Sequence, residues 1–438
     1  MPTVKDVRIP AHENLQIPIV VFIVFLSILS LAVRPPLLRK VIFATILFLS
    51  YFWLWKTQSN NLVKDYSLGL WVATNVFCLN DFVGLCSWDG DVQRAVVRKR
   101  KRTKVTRRNG RGEHERKEED GKDGLEEKEE IWTQPFTARL QWAFELWNAK
   151  RGVGWEHEVP DLRNHSNSAS RTRRKTLSSF ILAQITELAK CNLLYFIGDV
   201  LMQMNPSFLT HGPAFNEQVW WLKPTVVGHV LAARGSINAT YVVGSMLWVV
   251  GRIVLSGVNG KGKEDMEDLL DEWPPLFGSF LEVWSVRNVW RRFWHQMMRK
   301  FLLTHGAFAA DILNARHKAV RAFINLYTAF FISATIHYLG DYAVLKDWTG
   351  GSMIFFMLQP VAITFEILVL RIVRATGIRV PRWLAKAAGY TWVLVWFTAT
   401  LPTWVEPVVR AGFMEDGWHG PVVLWFAEKL RPAAAKWE

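Results

Sequence analysis

What most constrains this chain is a series of apolar blocks, each near the length needed to cross a bilayer, joined by basic or polar turns. They cover Ile17 to Val33, Val41 to Trp55, Leu68 to Cys86, Ser178 to Met204, Val219 to Ala233, Ala239 to Val254, Val320 to Leu339, Ile354 to Val373 and Ala387 to Leu401. A hydrocarbon core about 30 Å thick asks for roughly 20 apolar residues per helix, because every backbone polar group must be paired within the segment. Lys223-Pro224 interrupts the fifth block and a further one at Val422 to Leu430 is weak, so seven to nine spans are expected. No heptad, fixed-period repeat or alternating strand pattern occurs, which makes the expected class all-α. Half of the residues are hydrophobic and 21% are charged, against about 25% charged in ordinary soluble domains, which argues against a single soluble globule.

Charge gives the chain its expected orientation. The first block lacks a basic leader and a small-x-small cleavage site, so it reads as a retained helix. Arg34, Arg39 and Lys40 behind it mark a cytosolic turn by the excess of cations in short loops. Three crossings then return the chain to that side, where a polar stretch from Trp88 to about Lys175 begins. Within it, nine basic residues and no acid lie between Arg98 and Arg111, and ten acids with four basic residues lie between Glu113 and Glu130. Such a tract reads as a disordered, solvated insert that meets anionic headgroups. The tract nets only +3 of the chain's +14, and nucleic acid is not an expected partner in a multi-spanning chain. Cys78, Cys86 and Cys191 lie in apolar surroundings without CxxC spacing, so no disulfide framework or zinc site is expected. Asn238 opens a glycosylation sequon, but at the edge of an apolar block.

Ionisable residues inside apolar helices are costly and therefore informative. The clearest is His337, within Phe330 to Leu339. Helical i, i+4 spacing puts Ser333, His337 and Asp341 on one stripe, so Asp341 is expected to hold one ring nitrogen and leave the other as a general base towards an alcohol. A packing hydrogen bond between helices, or a proton relay in a transporter, fits the same spacing. A second site is Ser285 to Lys300. As one helix it would align Arg291, His295 and Arg299 on a cationic face, beside an apolar stripe of Trp290, Trp294 and Met298. Trp and Arg are ordinary interfacial anchors, which leaves His295 to be explained. Upstream, Asp271-Glu272-Trp273-Pro274-Pro275-Leu276-Phe277-Gly278 forms a rigid loop, since the paired prolines withhold two backbone donors. No HExxH, GxSxG, GxGxxG or P-loop pattern occurs.

The order W-P-P-L-F-G from Trp273, then S-x-R-x-x-W-x-x-x-W-H-Q-x-x-R from Ser285, then S-x-x-x-H-Y from Ser333, resembles the wax synthase-like branch of the membrane-bound O-acyltransferases. In fungi that branch is similar to O-acetyltransferases of terpenoid and meroterpenoid biosynthesis. Arg151-Gly152-Val153-Gly154-Trp155, with Glu158-Val159-Pro160, looks like the element the family carries before its core. Val289 departs from the pattern, where Phe is expected before the first Trp.

The resemblance implies an acyl-CoA:alcohol acyltransferase of the endoplasmic reticulum, its helices surrounding an intramembrane reaction chamber. It gives His337 the role of base and His295 that of polarising the thioester or orienting CoA, with Ser333, Asp341 and Trp294 in support. Arg287, Arg291, Arg292, Arg299 and Lys300 would hold the CoA phosphates. Acetyl-CoA is the expected co-substrate, with no bound cofactor or metal, and a hydrophobic alcohol in the bilayer the acceptor. Long-chain wax or sterol esterification is the first alternative and a non-enzymatic transporter the second. The expected division is residues 1–88 as N-terminal spans, 89–177 as a polar cytosolic loop carrying the insert 98–130, and 178–438 as the acyltransferase core with its motifs at 273–338.

Overall fold

The structure, a computed structural model, describes residues 12–85, 131–153, 155, 158, 176–255, 266, 269–416, 423–425 and 429. The charged insert and Cys86 therefore lie outside the described residues. In chain order the long helices are α1 (Gln16–Ala32), α2 (Pro36–Lys56), α3 (Leu62–Asn80), α4 (Phe136–Asn148), α5 (Leu177–Gln203), α6 (Val227–Leu255), α7 (Arg299–Ile312), α8 (Lys318–Leu345), α9 (Ser352–Ala375) and α10 (Arg382–Arg410). All but α4 and α7 belong to the eight stretches among the described residues that are long and apolar enough to span. No strand occurs among the described residues. The protein is all-α, polytopic and multi-pass. Leu182 on α5 and Leu247 on α6 are 66% and 70% exposed; these faces suit acyl chains and not water.

The blocks at 219–233 and 239–254 are not two spans. They form one helix, entered through a tight turn at Lys223–Val226 that places Pro224 where its missing N–H costs nothing. Helix α6 lies against α5 at glycine contacts: a Cβ on Gly198 would stand 2.5 Å from the Gly228 carbonyl oxygen. Asn238 is buried in this interface, donating to Glu187 Oε1 at 2.9 Å and to Cys191 Sγ at 3.2 Å, so it is no exposed glycan acceptor.

Within the polar stretch, α4 packs on α1, and the Trp147 indole donates to Asn75 Oδ1 at 3.0 Å. Asn75 in turn donates to Ser27 Oγ at 2.9 Å, tying α3 to α1. The turn after α8 depends on Lys346, left-handed at φ 59°, whose ammonium donates to the Leu54 and Thr57 carbonyls at the end of α2. A cation there complements the negative helix terminus.

Candidate active site

Helix α8 carries His337 among aromatic rings. Its Nδ1 is 2.8 Å from the Ser333 carbonyl oxygen one turn earlier. A carbonyl only accepts, so Nδ1 bears the proton and the lone pair of the neutral ring lies on Nε2. The ring stacks on Phe356 of α9, centroids 4.1 Å apart, and meets Trp404 of α10 edge-on at 5.4 Å. His305 on α7 makes the same backward bond, to the Phe301 carbonyl at 2.7 Å, but Asn80 occupies its Nε2 at 3.0 Å. His305 is thereby a packing group with both nitrogens used.

Asp341 does not hold His337. Its Oδ2 accepts from the Ser352 backbone N–H at 3.0 Å and the Ser352 hydroxyl at 2.5 Å, capping the start of α9. Gly350 makes room for it, since a Cβ there would stand 2.4 Å from the Asp341 Cβ. The i, i+4 spacing was compatible with either partner, and a carboxylate is favoured by the positive end of a helix. Ser333 contributes its carbonyl.

The helix expected across 285–300 is broken. Ser285 caps a single turn, Val286–Asn288, through its side chain and the Asn288 N–H at 3.0 Å. A wide π-turn follows at Val289–Phe293, and Trp294 is extended with ψ 152°. The segment has no Arg291, His295, Arg299 stripe. Val289, in the position where the family resemblance suggests Phe, is buried in the main core.

The break turns His295 inward beside Phe277 at 5.8 Å and Trp294 at 5.5 Å. Trp294 leads to Trp290, and Trp290 to Phe356, the ring that stacks on His337. Burial, with the proximity of His337 and the Arg151 guanidinium adding, pushes His295 down to about 3, so it is neutral at working pH. Its Nδ1 is sealed from solvent with no hydrogen-bonding partner among the described residues. A buried N–H left unpaired is rarer than an unpaired acceptor, which places the proton on Nε2 as a donor. The two histidines thus offer complementary atoms: an acceptor on His337 and a donor on His295.

Of the expected phosphate ligands, Arg287, Arg291 and Arg292 are exposed, and Arg292 also pairs with Glu282 at 3.3 Å. Arg299 donates to Gln296 at 3.4 Å. Lys300 is turned away, its ammonium paired with the sealed carboxylate of Asp81 and standing 3.9 Å over the Phe82 ring.

The supporting residues that sequence reasoning passed over are polar groups inside spans. Glu366 of α9 accepts from the backbone N–H of Val286 at 2.6 Å and of Arg287 at 3.1 Å, and from the Trp392 indole at 2.9 Å. Gln359, fully buried, accepts from the indoles of Trp290 and Trp396 at 3.3 and 3.2 Å. Arg234 on α6 lies 4.6 to 5.4 Å from the rings of Phe280, Phe277 and Phe293. The rule that intramembrane polar residues face function or a partner would have found all three.

Arg151 joins the early motif to the proline loop. Gly152 takes the left-handed conformation at φ 63° that follows it. The buried guanidinium donates to the Pro275 and Pro274 carbonyls at 2.9 and 2.7 Å and to the Tyr241 hydroxyl, while burial lowers its own affinity for the proton. Gly278 at the loop's end donates to the Phe293 carbonyl at 2.9 Å, and a Cβ there would strike the Arg292 carbonyl at 2.2 Å. Arg151→Ala is expected to destabilise the protein by roughly 1–3 kcal/mol for each acceptor left unpaired, read as a fall in its thermal midpoint in detergent; an unchanged midpoint would show that the clamp bears no load.

Residues 273–358, which include both His295 and His337, match the model of the Membrane bound O-acyl transferase family. Acetyltransferase ple2 of Rhodocybe pseudopiperita is 27% identical over 302 residues, covering 65% of this chain and 74% of the relative. Acetyltransferase eriL of Hericium erinaceus is 28% identical over 290 residues, 65% of this chain and 70% of the relative. O-Mevalon transferase yanI of Aspergillus niger is 28% identical over 331 residues, 71% of each. No solved structure matches. With eight helices long and apolar enough to span among the described residues and both histidines inside the matched region, the chain is an acyltransferase similar to the membrane-bound O-acyltransferases.

Proposed function

We propose that the protein transfers an acetyl group from acetyl-CoA to a hydroxyl of a lipophilic terpenoid or meroterpenoid, as a step of fungal secondary metabolism at the endoplasmic reticulum. The observation that carries the reading is a pair of imidazoles linked through one aromatic cluster: His337, whose Nδ1 meets the Ser333 carbonyl and so leaves Nε2 to accept, and His295, whose sealed and unpartnered Nδ1 leaves Nε2 to donate. The acceptor hydroxyl gives its proton to His337 Nε2 as its oxygen attacks the thioester carbonyl carbon. Negative charge develops on the carbonyl oxygen, where the His295 N–H stabilises it. The C–S bond then breaks, and the CoA thiolate takes the proton back from His337, leaving ester and CoA. No acyl-enzyme is required, because holding both substrates together replaces a bimolecular encounter with an intramolecular one. Arg287, Arg291 and Arg292, on the exposed edge of the same segment, supply charge for the CoA phosphates.

Names of the relatives support the acetyl donor, although yanI is named for mevalon transfer. The donor is tested by competition. Membranes given equal acetyl-CoA and palmitoyl-CoA with a hydroxylated terpenoid are expected to yield mostly acetate ester. A predominance of palmitate ester would return the protein to the wax synthase type.

A further inference from the structure

Helix α6 brings a third histidine to the indole that His337 touches. His229 lies near the start of α6, and its ring stands edge-on to Trp404 with centroids 5.7 Å apart and planes at 82°. His337 meets the same indole at 5.4 Å and 88°. The two imidazoles share that indole. Trp404 is itself fixed, stacked on Phe355 at 5.1 Å and against Phe356 at the same distance. The backbone beneath His229 is equally constrained. Gly228 packs on α5, where a Cβ would stand 2.7 Å from the Gly198 carbonyl oxygen, and Val226 and Ala232 on either side are in the main core.

His229 differs from the other histidines of this region in what its nitrogens do. His305 has both bonded, and His337 has one bonded to Ser333. His295 has one nitrogen sealed. Neither nitrogen of His229 meets a hydrogen-bonding partner among the described residues, and neither is sealed as that of His295 is. An imidazole held in an apolar span with unsealed nitrogens and no protein partner leaves both free for a ligand, since an unpaired polar group there is costly. Packing alone does not explain it, since a phenylalanine would meet Trp404 edge-on without that cost. A metal does not explain it either, because no group of three His, Cys, Asp or Glu side chains converges among the described residues.

In either neutral tautomer the ring offers one donor and one acceptor, which suits an oxygen function such as a hydroxyl or a ketone. Building on the acyl-transfer reading, we infer that His229 hydrogen-bonds a second oxygen of the acceptor, remote from the hydroxyl that His337 deprotonates. The substrate is then a lipophilic alcohol oxygenated at two positions at least. A fatty alcohol or a monohydroxy terpene would leave His229 unpaired inside the membrane. A site that hydrogen-bonds a substrate group discriminates strongly against the analogue lacking it, because its own polar group is then stranded.

The test compares the sesquiterpene alcohol drimenol with a drimane diol, using purified protein and labelled acetyl-CoA. The wild type is expected to favour the diol in kcat/KM by at least about tenfold. His229→Phe keeps the aromatic contact with Trp404 and should bring that ratio close to one, whereas His229→Gln, which still donates and accepts, should retain most of it. An unchanged ratio in His229→Phe, including an equal loss on both alcohols, would overturn the inference and leave His229 a packing residue. Esterification of neither probe by the wild type would contradict the terpenoid reading itself, a result distinct from any change in the ratio.

Discussion

Replacing His337 by alanine is expected to lower ester formation by about 10²- to 10⁴-fold, the usual contribution of a positioned general base, while the protein still inserts and accumulates in the membrane. The two effects separate because the only hydrogen bond His337 makes among the described residues, to the Ser333 carbonyl, lies within its own helix, so no hydrogen-bonded tie between the described helices is cut. What is lost outside α8 is ring contact with Phe356 and Trp404. His337→Gln retains much of the volume and a hydrogen bond but not the basic nitrogen, and should be nearly as inactive. Ester formation is read from labelled acetyl-CoA, and abundance from the same membranes. Activity within a few-fold of the wild type would remove His337 from the chemistry.

His295→Ala is expected to cost about 10²- to 10³-fold in kcat, the range for removing one donor to a developing oxyanion, with a smaller change in KM for acyl-CoA. An interaction stronger in the transition state than in the ground state acts on kcat in this way. The pH dependence gives a second readout. His295 titrates at about 3 in the folded protein against 6.5 for a free histidine, so between these values the unfolded chain binds the additional proton. Stability should therefore fall as pH drops from 6.5 towards 3 and be unaffected by this group above 6.5. His295→Gln should flatten that part of the stability profile. A wild-type profile that His295→Gln leaves unaltered would show that the histidine is not buried as a neutral ring.

The spans were legible because a run of apolar residues has few other places to go. The blocks at 219–233 and 239–254 are separated by a polar gap that holds Arg234 and Asn238. Both remain in the helix because its neighbours supply Glu187 and Cys191 to the amide and three phenylalanine rings to the guanidinium. His337 was legible as an imidazole in an apolar run, but Asp341 was misassigned because helical spacing does not reveal a competing helix N-terminus eleven residues on. The break at Trp294 left no local mark, since neither proline nor glycine lies between Ser285 and Lys300. That segment is held by Glu366 and Gln359, partners about 70 to 80 residues away in sequence, and a π-turn maintained by distant contacts is invisible to periodicity. His229 was passed over because its relation to Trp404 exists only after α6 and α10 have packed.

The most direct measurement follows the label. Purified protein given acetyl-CoA labelled in the acetyl group, together with an oxygenated terpenoid alcohol, should release CoA and labelled ester in equal amounts. A rapid quench should show no label bonded to the protein, and the His337→Ala protein should release neither product. Labelled protein appearing before ester would contradict direct transfer, and movement of a solute across reconstituted vesicles with no ester formed would contradict acyl transfer altogether.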